Sequence, residues 1–407
     1  MRLTAEDVRI LGLETASVAG HTLKVTALPP EADPITLAEL RDHVAARLDR
    51  IPGLRDRLAQ DGDGLAWAPY AGFDLDEHVR EHPQTSTLEA AVAELMEERL
   101  DRERPLWTID LVGGRAIVLR VHHAMADGMA VRRIATALLW EVDAEPTGPS
   151  PAAVPEPTHR HVLADIPRLS AAIERELAPA VPRSSLARRV GSSRVVAFAS
   201  AELTAIGGLR DAFGTHLTVN DVVLGATAGG LRRWLLARDA PLHRMRVKVP
   251  VSLHRADERG DALGNDDSFF FVDLPLAEPD PVPRLLAVAR ECTLRKARHD
   301  ALELGTVLHI GGSVAVHWSM SPHVFTLNVS NVPGPRGAVT ALGRPVDAVY
   351  SLAEVADWHA LRVAVFSAGG VLTFGLCADR DGVDRLGVLA GGIEEELGAL
   401  AAAAAAR

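Results

Sequence analysis

Five prolines between Asp143 and Pro157, with little apolar periodicity among them, break the chain a little more than a third of the way along. Proline fixes φ and removes a backbone donor, so neither a helix nor a central strand runs through such a stretch. The chain has 407 residues, about twice the size of one ordinary domain. The break therefore reads as a connection between two folded halves. Beyond it, Leu163, Ile166, Leu169 and Ile173 fall at roughly helical spacing, which predicts a helix over His161 to Leu177 before Pro179 and Pro182 interrupt again. Residues 146–192 are assigned to the crossover, leaving 1–145 and 193–407 as two subdomains.

Both halves have material for a core. Hydrophobic residues make up 47% and charged residues 24%, which excludes wholesale disorder. A net charge of -11 offers nucleic acid no global attraction, and no basic patch interleaved with aromatics supplies a local one. Cys292 and Cys377 stand far apart with no second cysteine nearby, so neither a disulfide framework nor a zinc site is implied, and a reducing cytoplasm fits. Glu6 and Asp7 fall where a signal peptide needs an apolar core. Leu304 to Met320 comes nearest to a membrane span, but Gly305, Gly311 and Gly312 weaken it, and it reads as a buried or interfacial helix.

Local patterns mix strand and helix. Ala116 to Val121 is a short aliphatic run behind Gly113-Gly114 and reads as a buried strand ending at His122. Past Gly128, Val131, Ile134 and Leu138 take one side of a helix while Arg132 and Arg133 take the other. The second half opens with a strand at Val195 to Phe198, then a helix from Val219 to Ala237 with Thr218 and Asp221 spaced as a capping pair. Further strands are predicted at Val247 to Val251, Ser268 to Leu274, Val324 to Val329, and Leu361 to Ser367 turning at Gly369-Gly370 into Val371 to Cys377. The class is α+β. Strands and helices do not alternate regularly enough for a doubly wound sheet, and no glycine-rich phosphate loop follows a strand.

The strand-to-helix turn carries His122-His123-Ala124-Met125-Ala126-Asp127-Gly128. Histidine alone has an unperturbed pKa near neutrality, which is what a general base needs. Successive side chains at a strand end point to opposite sides, so one of the two rings faces a cleft while its neighbour packs inward. Asp127 is placed to accept backbone N–H groups at the start of the next helix or to pair with an arginine, and Gly128 to supply a backbone conformation closed to other residues. Read alone, a histidine at a strand end is more often one satisfied within the fold than a base. A metal site with His123 and Asp127 as ligands needs a helix here and a third ligand that the sequence does not offer. A serine-nucleophile hydrolase lacks the G-x-S-x-G elbow.

The motif does not stand alone. Phe73-Asp74-Leu75-Asp76-Glu77-His78-Val79 and Pro105-Leu106-Trp107 precede it, while Asn220-Asp221-Val222-Val223-Leu224, Gly264-Asn265 and Ser330-Asn331-Val332-Pro333-Gly334-Pro335 follow. This ordered set, spanning most of the chain, resembles the bacterial wax ester synthase/diacylglycerol acyltransferases, themselves similar to chloramphenicol acetyltransferase and peptide-synthetase condensation domains.

The resemblance implies two chloramphenicol acetyltransferase-like subdomains with the active site at their interface. It implies transfer of a fatty acyl group from acyl-coenzyme A, as co-substrate and with no permanently bound cofactor or metal, to a long-chain alcohol or a diacylglycerol. His123 would act as general base beside His122 and Gly128, with Asp127 as structural support and no acyl-enzyme. Asn265 and Asn331 are candidates for the oxyanion, and Ser330 and Asn220 join them as candidate substrate-binding residues; Asn220 reads equally as a first-turn capping residue. Pro105 and Trp107 read as packing, and Pro333-Gly334-Pro335 as a rigid turn. Peripheral contact with a membrane or lipid droplet would rest on Leu304 to Met320, otherwise an ordinary core helix. Two other outcomes fit the same residues: the same fold acting on a natural-product hydroxyl or amine, and an inactive lipid- or acyl-coenzyme A-binding protein.

Overall fold

The computed structural model describes residues 2–62, 64–83, 87–143, 184–214, 217–252, 267–297, 318 and 320–407. The helix predicted over His161 to Leu177, the Gly264-Asn265 pair and nearly all of Leu304 to Met320 lie outside these residues. The chain opens with α1 (Ala5–Gly12), β1 (His21–Ala27), α2 (Leu37–Ala45), the hairpin β2 (Asp56–Asp61) and β3 (Gly64–Pro69), α3 (Leu75–His78), β4 (Val79–His82) and α4 (Leu88–Glu97). It continues through β5 (Trp107–Val112), β6 (Ala116–His122), α5 (Gly128–Leu138) and β7 (Trp140–Val142). Then come β8 (Arg194–Glu202), α6 (Leu203–Phe213), α7 (Val219–Leu236), β9 (Met245–Ser252), β10 (Asp267–Leu274) and α8 (Pro281–Ala297). The last stretch holds β11 (Leu327–Pro333), β12 (Val339–Ala341), β13 (Arg344–Pro345), β14 (Ala348–Ala353), β15 (Leu361–Ala368), β16 (Val371–Asp379) and α9 (Leu386–Ala405).

Local chemistry explains most boundaries. Thr218 and Asp221 form a reciprocal capping box at the start of α7, each side chain bonding the other's backbone N–H. Gly369 and Gly370 both take positive φ, 57° and 87°, and turn β15 into β16. One strand is displaced from its predicted place: β11 begins at Leu327 rather than Val324. Val324 N donates to Ser321 O at 2.9 Å, closing a turn, and Val324 and Phe325 bury themselves against Phe269 and Phe271. Apolar content predicts a strand there, whereas the residues form a turn with a small core of its own.

Two sheets dominate. The first is five-stranded in the order β14-β1-β6-β5-β4, and the second is six-stranded in the order β10-β9-β11-β15-β16-β8. The sheets do not divide where the chain does. β14, from the second half, pairs antiparallel with β1 from Thr22 opposite Ala353 to Ala27 opposite Ala348. β12 likewise pairs with β7.

The alternation of side chains gives each sheet two different tasks. On β1, Leu23 and Val25 point into a large core shared with α4 and with α7, α8 and α9. On the adjacent β6, Ile117, Leu119 and Val121 point the other way, into a second core with α5 and with Phe366 of β15. On β11 and β15, Leu327, Val329, Val363 and Val365 face the helical core, while Val332, Phe366 and Ala368 face the first half of the molecule.

The junction is tightest where β14 crosses β16. A Cβ built on Gly375 would stand 2.0 Å from the carbonyl oxygen of Ser351 and 3.0 Å from Leu352, so only glycine lets the strands approach this closely. Gly375→Ala is expected to lower the unfolding free energy by about 1–3 kcal/mol, the usual cost of overpacking. A shift of the urea midpoint at unchanged slope would register it, and an unchanged midpoint would contradict the close contact.

Candidate active site

The two histidines are delivered by the end of β6 and separated by the turn that follows. His123 N donates to Gly20 O at 2.9 Å, fastening the loop to the start of β1. Met125 N and Ala126 N both donate to His122 O, at 2.9 and 3.3 Å, and close the turn. Asp127 then caps α5, its Oδ1 accepting from Ala130 N at 2.7 Å, one of the two roles its position suggested. His123 and Asp127 do not share a helix, as a metal pair at that spacing would require. Among the described residues no group of three or more His, Cys, Asp or Glu is arranged to hold a metal ion. Gly128 does not adopt positive φ; its small size matters instead, because a Cβ there would lie 3.0 Å from Val332 Cγ2.

His122 is buried and both its nitrogens are engaged. Nδ1 accepts from Ala124 N at 3.0 Å, so the ring proton sits on Nε2, which donates to Glu14 Oε1 at 2.7 Å. Glu14 also receives Arg99 at 3.0 Å and Arg102 at 2.8 Å. Burial pushes the Glu14 carboxyl up, but the hydrogen bonds from His122 and Arg102 prevail and hold it below the ordinary carboxylate range. Gly20 is fitted around this pair: its φ is 74°, and a Cβ there would meet His122 Nε2 at 2.8 Å and Glu14 Cγ at 3.0 Å. Glu14 and Gly20 escape sequence reading because neither belongs to a periodic pattern or motif.

His123 is half-buried. Burial is the main cause that lowers its pKa to about 4, followed by the charge of Arg362; the bond to its own carbonyl and the charge of Asp127 oppose the shift. The imidazole is therefore neutral at pH 7. On α1, Glu6 pairs with Arg9 through a 2.7 Å bond to Nε. Burial raises the Glu6 carboxyl, and Arg9, then His123 and Lys248, outweigh that and lower it, which puts α1, β9 and the histidine within electrostatic reach of one another.

The opposite wall comes from β11 and β15. Asn328, Ser330 and Val332 alternate with Leu327, Val329 and Asn331. Val332 lies against Gly128, so its face of β11 looks toward the histidine loop and carries the half-buried Ser330. Asn331 stands on the other face, in register with Val365, whose side chain belongs to the helical core. Asn220 is half-buried in the first turn of α7, and the cap is made by Thr218 and Asp221 without it. Asn265 is outside the described residues. Asn328 shares Ser330's face of β11 and the charge of Arg362 bears on His123; neither belongs to the motifs above, though a period-two reading of Leu327 to Pro333 would have flagged Asn328.

The upstream motifs form one packed unit beneath the site. Trp107 is fully buried, donates from Nε1 to Leu54 O at 2.7 Å, and lies 4.6 Å from the His78 ring. His78 donates from Nδ1 to Trp107 O at 2.7 Å and stacks on Phe73 at 4.9 Å. These residues support β5 and, through it, β6.

Residues 3–180 match the wax ester synthase/diacylglycerol acyltransferase catalytic domain, and residues 263–401 match the WS/DGAT C-terminal domain. A Mycobacterium tuberculosis protein named as a diacylglycerol O-acyltransferase is 30% identical, over 97% of this chain and 90% of its own. The O-acyltransferase WSD of Acinetobacter baylyi is 28% identical, over 85% of this chain and 84% of its own. The solved wax ester synthase/diacylglycerol acyltransferase from Marinobacter aquaeolei VT8 superposes with a TM-score of 0.74 at 24% identity, covering 100% of both chains. The first condensation domain of the calcium-dependent antibiotic synthetase gives 0.61 at 18% identity, covering 99% of this chain and 96% of that one. At these identities the two structures establish the shared fold.

Proposed function

Because the chain belongs to the wax ester synthase/diacylglycerol acyltransferase family, we propose that His123 is the general base of its acyl transfer, acting at the interface of an N-terminal subdomain (1–145) and a C-terminal one (193–407) joined by 146–192. The enzyme is an O-acyltransferase, and the family implies acyl-coenzyme A as co-substrate with a lipid alcohol or diacylglycerol as acceptor. Among the described residues no helix is long and apolar enough to cross a membrane. Contact with a lipid surface, where such acceptors reside, is part of the same reading.

One observation carries the assignment: of two adjacent rings, His122 is buried with both nitrogens committed to Ala124 and Glu14, while His123 is half-buried and neutral at pH 7. The His123 ring removes the hydroxyl proton as the alcohol oxygen attacks the thioester carbonyl carbon. The tetrahedral intermediate collapses, the carbon–sulfur bond breaks, and the imidazolium returns the proton to the departing thiolate. Ester and free coenzyme A result, with no acyl-enzyme. A base with so low a pKa draws the proton weakly, but its imidazolium is a correspondingly strong acid toward the thiolate. Glu14 is a positioning residue here, fixing the neighbouring ring and so the loop. Ser330 is the candidate donor for the oxyanion, since it shares the face of β11 that looks toward the loop.

The test is release of free thiol from palmitoyl-coenzyme A with hexadecanol, a diacylglycerol and a short alcohol as separate acceptors. Release that depends on a lipid acceptor and on His123 supports the reading. Binding of the acyl donor without release on any of them would move the natural-product or non-catalytic reading ahead. The pH dependence gives a second check. The active form is neutral His123, so kcat/KM should hold level across the neutral range and fall only as the pH drops toward about 4. Arg362→Gln removes a cation that favours the neutral ring, and should move that acidic limb upward. A native limb near about 6.5, the value for an unperturbed histidine, would contradict the environment described for His123.

A further inference from the structure

The face of the second sheet that looks toward His123 carries a row of three polar side chains on adjacent strands. Lys248 on β9 is in register with Asn328 on β11, and Asn328 with Arg362 on β15. Neighbouring strands lie about 4.8 Å apart, so an amide stands between two cations. The row faces the site on two counts: Asn328 shares its side of β11 with Val332, which lies against Gly128 of the histidine loop, and Arg362 bears electrostatically on His123. Among the described residues, Asn328 Oδ1 is buried and has no hydrogen-bond partner. An acceptor left buried and unsatisfied costs about 1–3 kcal/mol and calls for an explanation; on the face that looks toward His123, a ligand that supplies the missing donor is one.

The substrates of the proposed reaction offer few donors. The acceptor alcohol has one hydroxyl proton, and in the mechanism above it goes to His123. The acyl chain has none. The pantetheine arm of coenzyme A has two secondary amides, one of them a short methylene spacer from the sulfur, so its N–H travels close to the thioester wherever the thioester is presented to His123. The carbonyls of the same amides need donors, which the ammonium of Lys248 and the guanidinium of Arg362 can supply from either side. Lys248 is itself steadied over the Phe269 ring at 3.8 Å.

We propose that Asn328, flanked by Lys248 and Arg362, is the hydrogen-bond acceptor for a pantetheine amide N–H and sets the position of the acyl donor. The assignment rests on the acyltransferase reading. It makes Asn328 a specificity-determining residue for the donor, with no part in recognising the alcohol.

The experiment compares palmitoyl-coenzyme A with S-ethyl thiopalmitate, which keeps the thioester and the acyl chain but has no amide. Asn328→Leu, close in shape and without the acceptor, is expected to reduce kcat/KM for palmitoyl-coenzyme A on the order of tenfold, mostly through KM. It should leave the rate on S-ethyl thiopalmitate and the KM of the alcohol near native. Asn328→Asp keeps an acceptor oxygen and should recover most of the loss, whereas a merely structural role would not distinguish the two thioesters. Equal losses on both thioesters, or a change confined to the alcohol KM, would overturn the proposal. Calorimetric binding of palmitoyl-coenzyme A and of S-ethyl thiopalmitate to native protein and both variants reads the same contact without turnover. A native protein that fails to turn over either donor, yet binds palmitoyl-coenzyme A in an Asn328-dependent way, refutes the acyltransferase reading and keeps the contact. Should the leucine variant not fold, Asn328→Ala removes the acceptor by truncation and enters the same comparison.

Discussion

Alanine at position 123 is expected to slow acceptor-dependent release of coenzyme A by about 100- to 10,000-fold, the range for losing a general base. The loss should fall on kcat, with the KM of the acyl donor little changed, because the ring acts on a proton in flight and leaves binding to other groups. His123 is half-buried at the end of β6, and its backbone N–H, which ties the loop to Gly20, survives the substitution. The thermal midpoint should therefore stay close to native. His122→Ala makes the contrast. It removes the donor to Glu14 and the acceptor for Ala124 N, so a drop in stability of about 1–3 kcal/mol accompanies any loss of rate. If the two variants exchanged behaviour, with His122→Ala catalytically dead and fully stable, the roles given to the two rings would be reversed.

A comparably large effect is expected far from that loop, at Glu396 of α9. Its carboxylate is fully buried and accepts from Arg284 Nε at 2.9 Å and Nη2 at 2.6 Å, and from Arg233 Nη1 at 2.8 Å. Arg284 is itself 1% exposed, so Glu396→Ala strands a guanidinium in the helical core between α7, α8 and α9. Breaking a buried pair in this way costs about 3–5 kcal/mol, which should appear as a large fall in the melting temperature or as loss of soluble protein. The pair differs from its parts. Glu396→Leu combined with Arg284→Met removes both charges and should recover much of the stability, since a packed apolar replacement avoids desolvating either ion. A melting temperature for Glu396→Ala within error of native would mean that solvent reaches Arg284.

What could be read from residues alone was whatever is encoded locally. The strand ending at His122, the helix opening behind Asp127 and the hairpin at Gly369-Gly370 depend on neighbours within a few positions, and the structure has them. The Thr218 and Asp221 box is of the same kind. The path of β14 is different: nothing in Ala348 to Ala353 announces that its partner is β1. Glu14 likewise becomes informative only when folding brings it to His122. At Val324 the signal misled, because an apolar pair in a turn and an apolar pair in a strand look alike in sequence. The family resemblance pointed to His123, but which side of β11 looks toward the histidine loop, and so that Ser330 rather than Asn331 stands on it, shows only once Val332 is seen against Gly128.

The pairing of β1 with β14 joins Thr22 to Ala353, and it constrains how the molecule can be made. While the protein is being synthesised, β1 emerges early and its outer neighbour comes more than three hundred residues later. Until then, one edge of the first sheet presents open N–H and C=O groups, the kind of surface on which strands of other chains add. Long-range pairing of this sort is slow to form. A nascent chain released at the linker would hold the histidine motif and no closed sheet beneath it, and so would be prone to aggregate. Chaperone demand should accordingly rest on the interval between the appearance of β1 and that of β14, and moving that strand next to β1 by circular permutation would shorten it.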